Sequence, residues 1–215
     1  LSFAKLSGPA WLSLGATGTL TGTPATTDAN TNTFLVSVRD PAGLSNTATL
    51  SIYVNAAPGF AANPLTAPAV VAGQVYQASL SGQASDPNPG DQLTFGKVSG
   101  PGWLNVATNG SLSGTPLSAD VGSNSMVVSV TDPSGLSATT TMTMVVVAAP
   151  GIQSTASCQG NVLQLNWSGG IAPYQVKYIT NLADPDWKNL GDPLPTTSLS
   201  LPATNDAVFY RIYGQ

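Results

Sequence analysis

Apolar and small polar residues alternate through "FLVSVRD" (Phe34 to Asp40) and again through "ATLSIYV" (Ala48 to Val54). A period of two turns one side of each segment inward, the pattern of a half-buried strand. Between them, "DPAGLS" supplies a turn, because proline presets φ and glycine accepts a positive φ. The two segments predict a hairpin. The same order returns in "MVVSVTD" (Met126 to Asp132), "DPSGLS" and "TTMTMVV" (Thr140 to Val146). "GQVYQASL" (Gly73 to Leu80) predicts a further strand, and "ASDPNPGDQLTF" (Ala84 to Phe95) a polar turn running into one. No stretch shows strong helical periodicity, and 17 prolines and 22 glycines break the chain every few residues.

The recurrence is a duplication. Leu1 falls on Leu93 and Gly59 on Gly151 without a gap, and about half of the aligned positions are identical. "SGPAWLSLGATGTLTGTP" (Ser7 to Pro24) returns as "SGPGWLNVATNGSLSGTP" (Ser99 to Pro116). A period of about 92 residues is the size of one β-sandwich domain. The second copy is complete from about Pro58 to Ala149, whereas the first lacks the part equivalent to Phe60 through Gln92. Its first strands lie upstream, are disordered, or come from another molecule, and truncation is the simplest of these. At "VNAAPGF" and "VVAAPGI" one unit passes to the next through a short Ala-Ala-Pro link, which limits the freedom of neighbouring units. The last stretch differs: "NVLQLNWSGG", "PYQVKYIT", "DWKNLG", "TSLSLP" and "AVFYRIY" read as five or more strands of a small further sandwich. The expected division is 1–57 (incomplete repeat), 58–149 (complete repeat) and 150–215 (terminal module), all-β throughout.

Composition narrows the chemistry. Only 7% of the 215 residues are charged, the net charge is -4, and no basic cluster appears. Nucleic acid and anionic membranes are therefore poor partners, and "MTMVVVAAP" (Met142 to Pro150) is too short an apolar run to span a bilayer, so no direct membrane insertion is expected. There is no histidine, and all ten acidic residues are aspartate. A Ser-His-Asp or Cys-His mechanism and a His-built zinc site are excluded within this chain. No catalytic residue is assigned. Asp184 and Asp186, two apart around Pro185, are read as solvated turn carboxylates. The single cysteine, Cys158, forms no internal disulfide; it is expected as a small buried hydrophobe, with an intermolecular crosslink as the alternative. "NGS" at Asn109 and "NWS" at Asn166 fit a glycosylation sequon that arises often by chance. The first residue is Leu and no leader is visible, so the chain is expected to be a piece of a longer precursor.

The ordered elements "LxF-K-SGPxWL", "GxLxGTP", "VxVxDPxGLS", present twice between Leu1 and Ala149, resemble the dystroglycan-type cadherin-like repeats of bacterial extracellular proteins, also described as He-PIG-type Ig domains. "YQVKYITNLADPDWKNLG" and "FYRIY" make Gly151 to Gln215 similar to a fibronectin-III-like module. The resemblance implies tandem immunoglobulin-like (cadherin-like) β-sandwiches followed by a small C-terminal β-sandwich. It implies a secreted or cell-surface, bacterial, non-catalytic region that spaces or anchors the upstream domains of the same polypeptide. Two alternatives stay open: carbohydrate-binding accessory modules of a secreted hydrolase, and a subunit of a polymerising surface fibre.

Calcium takes several oxygen ligands, mainly carboxylates and carbonyls. The best such cluster is "DPNPGD", with Asp86, Asn88 and Asp91. The resemblance adds Asp132, before the "DPSG" turn, and Asn55, in the link between units; Asp40 holds the position of Asp132 in the first repeat. The alternative is that these side chains only close turns. Trp11, Trp103 and Trp167 are read as core residues. Trp187, with Tyr174 and Tyr178, is the candidate carbohydrate-binding face, so glycans or other cell-surface proteins are the expected outside partners.

Overall fold

The computed structural model describes residues 1–204 and 207–214. Among these residues the only helices are two 3-10 turns, Thr26–Asp28 and Ser118–Asp120, and no helix is long and apolar enough to cross a membrane. The first repeat contains β1 (Ser2–Ser7), β2 (Leu12–Leu14), β3 (Leu20–Gly22), β4 (Asn30–Arg39) and β5 (Ser45–Val54). They form one sheet in the order β1-β4-β5 and a β2-β3 hairpin, all antiparallel.

The second repeat contains β6 (Gly59–Phe60), β7 (Leu65–Thr66), β8 (Val70–Val71), β9 (Tyr76–Ser79), β10 (Ala84–Ser85), β11 (Thr94–Ser99), β12 (Leu104–Val106), β13 (Ser111–Gly114), β14 (Gly122–Thr131) and β15 (Ser137–Val147). The sheet β11-β14-β15 repeats β1-β4-β5, and β7 and β8 extend it by pairing parallel to β15. Opposite it lies β12-β13-β9, which adds β9 to the counterpart of the β2-β3 hairpin. Between the sheets sits a core that includes Leu104, Leu112, Met126, Val128, Val130 and Val146.

The twice-written motif is explained by its contacts. Lys5 donates from Nζ to the carbonyls of Pro9 (2.8 Å) and Leu12 (2.6 Å); Lys97 does the same to Pro101 (2.7 Å) and Leu104 (2.9 Å). Each lysine thus ties down the "SGPxWL" turn that follows it, satisfying carbonyls no ladder reaches. The glycine of each "GTP" lies under the tryptophan: a Cβ on Gly22 would collide with the Trp11 carbonyl, and one on Gly114 with that of Trp103. Trp11 meets Phe34 edge-on at 5.3 Å, and Trp103 meets Tyr76 edge-on at 6.1 Å. Both indoles are half-buried and lean on their own repeat. The stretch therefore identifies a structural unit.

The remaining residues form β16 (Gln153–Gln159), β17 (Val162–Ser168), β18 (Gln175–Ile179), β19 (Lys188–Asn189), β20 (Ser198–Pro202) and β21 (Phe209–Tyr213). Two three-stranded sheets, β16-β17-β20 and β19-β18-β21, enclose Leu165, Trp167, Tyr174 and Val176. Cys158 corrects the sequence expectation. It lies on β16, an edge strand exposed along its whole length, and its thiol faces solvent rather than a core.

Candidate metal site at the joint between the repeats

Three segments converge where β5 gives way to β6. The link Asn55–Ala57 leaves β5; the Asp86–Asp91 turn follows β10; Asp132 follows β14 and opens the "DPSG" turn. The turn folds locally because Asp132 Oδ1 accepts from the Leu136 N–H at 2.9 Å, while Gly135 N–H reaches the Asp132 carbonyl at 3.2 Å. That leaves the second carboxylate oxygen aimed at the link, where it accepts from Asn55 Nδ2 at 2.7 Å.

Asn88 is nearly sealed from solvent and grips the link by its backbone. Its Oδ1 accepts from Ala56 N–H (2.8 Å) and its Nδ2 donates to the Val54 carbonyl (2.8 Å), the pairing one more strand residue would supply. Its own N–H is held by Asp86 Oδ1 at 2.7 Å. Asn88, expected as a metal ligand, has both polar ends of its side chain on the link and so clips the joint together. The sequence also passed over Asn30. This residue has φ 86, where the second repeat has Gly122 at φ 121, and its amide reaches the Pro87 carbonyl at 3.3 Å across the joint. The Asn/Gly pairing at one aligned position is the signal of a left-handed residue.

Asp86, Asp91 and Asp132 each bring a carboxylate oxygen within 4.8 Å of the other two. Asn55 Oδ1 and Asp86 Oδ2 are shut off from solvent and receive no hydrogen bond. A buried acceptor without a donor is costly, so two at one place mark a position for a positive charge. Burial alone would raise the Asp132 carboxyl; the hydrogen bonds from Asn55 and from the Leu136, Ser134 and Gly135 backbone outweigh it and hold the group below its ordinary value. The donors are all oxygens, which suits a hard cation. Calcium takes such all-oxygen sites, and the three carboxylates and the Asn55 amide oxygen suit it. In the first repeat, Asp40 closes its own turn on Leu44 N–H at 2.9 Å.

The terminal module separates the three aromatics proposed to share a face. Tyr174 is buried, stacks edge-on with Trp167 at 5.7 Å and donates its hydroxyl to the Gly169 carbonyl at 3.0 Å. Tyr178 pairs with Tyr210 in register, and Tyr210 packs on the core, so Tyr178 shares that inner side. Trp187 lies instead under Arg211, whose guanidinium sits 4.8 Å from its ring, with Tyr213 5.8 Å beyond on the same cation. Strand parity hid this, since Tyr178 of β18, with Tyr174 just before that strand, and Trp187 reach one sheet from opposite sides. Asp184 and Asp186 are exposed, and Asp184 Oδ1 accepts from the Asp186 N–H at 2.9 Å, a local turn bond.

The sequence matches the family described as "Putative Ig domain" twice, over residues 2–55 and 58–147. No curated protein matches it. Among solved structures it is similar to the endo-fucoidan hydrolase MfFcnA4 of glycoside hydrolase family 107, with 30% identity over 68% of this chain and 23% of that one (TM-score 0.41). It is also similar to cadherin domains 1-4 of protocadherin gamma B7, with 13% identity over 100% of this chain and 65% of that one (TM-score 0.44). A third is the human mucin-like protocadherin EC1-2, with 17% identity over 68% of this chain and 84% of that one (TM-score 0.39). The chain thus spans less than a quarter of that hydrolase.

Proposed function

The chain belongs to the "Putative Ig domain" family, and from that membership we propose that it is a non-catalytic, structural and adhesive region of a large secreted or surface-exposed protein. It spaces or anchors other domains, with the residues from 150 onward serving as a fibronectin-III-like module. The observation that carries this reading is the joint. Asn88 clips the link backbone at Val54 and Ala56, Asn55 binds Asp132, and Asn30 reaches Pro87. Bonds from both repeats and the link make a stiff pair, which is what a spacer requires. Asp86, Asp91, Asp132 and the Asn55 carbonyl oxygen would hold calcium there, and the ion supplies positive charge to three carboxylates that otherwise repel one another.

Thermal melts in EDTA and in calcium test the metal. Calcium raises the melting temperature of the native chain. It does so much less for Asp91→Asn, a change that removes a carboxylate charge from the cluster. Equal melting in EDTA and calcium removes the metal from the proposal while leaving the spacer intact.

A second reading, glycan binding by the terminal module, draws on one observation. Register places Gln175 with Tyr213 and Lys177 with Arg211 on one side of the sheet, and Lys177 Nζ sits 5.4 Å from the Tyr213 ring. Trp187, Arg211 and Tyr213 replace Tyr174 and Tyr178 as the surface to test. A glycan array with the native chain and Trp187→Ala decides it: binding lost in the variant supports this reading, and no binding by the native chain ends it.

A further inference from the structure

The sheet β19-β18-β21 has two unlike sides. Val176 pairs with Ile212 and Tyr178 with Tyr210, and Val176, Ile212 and Tyr210 belong to the module core. The alternate rungs point the other way. Asn189, Lys177 and Arg211 make one row across the three strands, and Gln175 and Tyr213 make the next. Trp187, the residue before β19, joins them through its contact with Arg211. The three strands carry charge of one sign only. Of the six cationic residues in the chain, Lys177, Lys188 and Arg211 stand on them, and no carboxylate does. Asp184, Asp186 and Asp192 lie in the exposed loops on either side of β19.

Two cations of the repeats are used up inside the fold: Lys5 and Lys97 each give their ammonium to two backbone carbonyls. Lys177 and Arg211 are held by rings instead. The Arg211 guanidinium lies 4.8 Å from the Trp187 ring and 5.8 Å from the Tyr213 ring, and its Nη1 donates to the Tyr213 hydroxyl at 2.9 Å. Lys177 Nζ lies 5.4 Å from the same Tyr213 ring. A ring positions a cation without neutralising it. Resting on the glycan reading above, we propose that this side of the sheet takes an anionic polysaccharide, one whose sugar rings carry sulfate esters or carboxylates, in preference to a neutral one. The guanidinium N–H groups not engaged by Tyr213 form a planar fork that matches two oxygens of one anion. Lys177 adds a second positive charge in the same row. Tyr213, 40% exposed, offers ring surface to the apolar side of a sugar, and the exposed Asn189 offers an amide to its hydroxyls. Cations already fixed in place lose little freedom when the ligand arrives.

The test is affinity electrophoresis of the full chain in gels cast with dextran sulfate, with unsulfated dextran of the same length, or with polygalacturonate. Dextran sulfate should retard the native chain, and dextran should not. Retardation by polygalacturonate as well would extend the ligand to carboxylates, and its absence would restrict it to sulfate esters. Arg211→Gln and Lys177→Gln should each weaken the retardation at least tenfold in apparent affinity. Arg39→Gln, an exposed cation of the first repeat, changes the net charge equally and should leave it unaltered. Equal retardation by dextran and dextran sulfate overturns the anionic class and leaves the glycan reading standing. Retardation indifferent to Arg211→Gln, or lost equally in Arg39→Gln, overturns it as a general charge effect. No retardation in any of the three gels overturns it too, and the glycan array decides separately whether glycan binding itself falls.

Discussion

The two repeats carry matching apolar positions on matching strands, and they bury them differently. Phe34 and Met126 are both sealed, as are Leu12 and Leu104. Leu20 and Leu112 diverge, as do Val36 and Val128. The residues that agree lie where the tryptophan turn and the long hairpin meet, an arrangement each repeat completes by itself. Those that differ face the place where the second repeat adds Leu65, Tyr76 and Leu80. Alternation in a sequence thus states which side of a strand is apolar, and the opposite layer decides how far that side is buried.

The largest expected break in this comparison is a matched truncation. Leu112→Ala should cost about 2–5 kcal/mol, as buried leucines do, whereas Leu20→Ala should stay within about 0.5 kcal/mol, as at a surface. Urea unfolding of the two variants measures both. Equal losses would mean that the first repeat is packed as tightly as the second. Next comes the clip. Asn88→Ala leaves the Ala56 N–H and the Val54 carbonyl without partners, at about 1–3 kcal/mol for an unsatisfied buried group. Its effect should appear in unfolding and as freer relative motion of the repeats. Smallest is Asn30→Gly, which keeps a residue suited to φ 86 and removes only the 3.3 Å bond to Pro87. Unfolding should change by no more than about 0.5 kcal/mol, and an effect as large as that of Asn88→Ala would make Asn30 a main tie of the joint.

Much of the fold was legible because its signals are local. Period-two alternation marked β4, β5, β14 and β15, and the "DPxG" turns marked the hairpins between them. Of the site, Asp86, Asp91, Asp132 and Asn55 were legible as oxygen donors, and the structure brings all four to one place. The clip made by Asn88 was not, because an asparagine in a polar turn reads equally as ligand, cap or clip, and only the approach of the link from 32 residues away reveals the clip. Trp187 was grouped with Tyr174 and Tyr178 by nearness in sequence, while sheet parity set them on opposite sides. Cys158 read as buried because cysteine packs as a small hydrophobe, yet β16 is an edge strand with nothing laid over it.

The joint is where the proposed role stands or falls. Backbone 15N relaxation of the full chain in saturating calcium reports the tumbling of each repeat separately. If the Asn88 clip, the Asn55–Asp132 bond and the ion tie the two repeats together, residues 2–55 and 58–147 will share one rotational correlation time, longer than either unit would show alone. Two separate, shorter correlation times in calcium would contradict a stiff spacer.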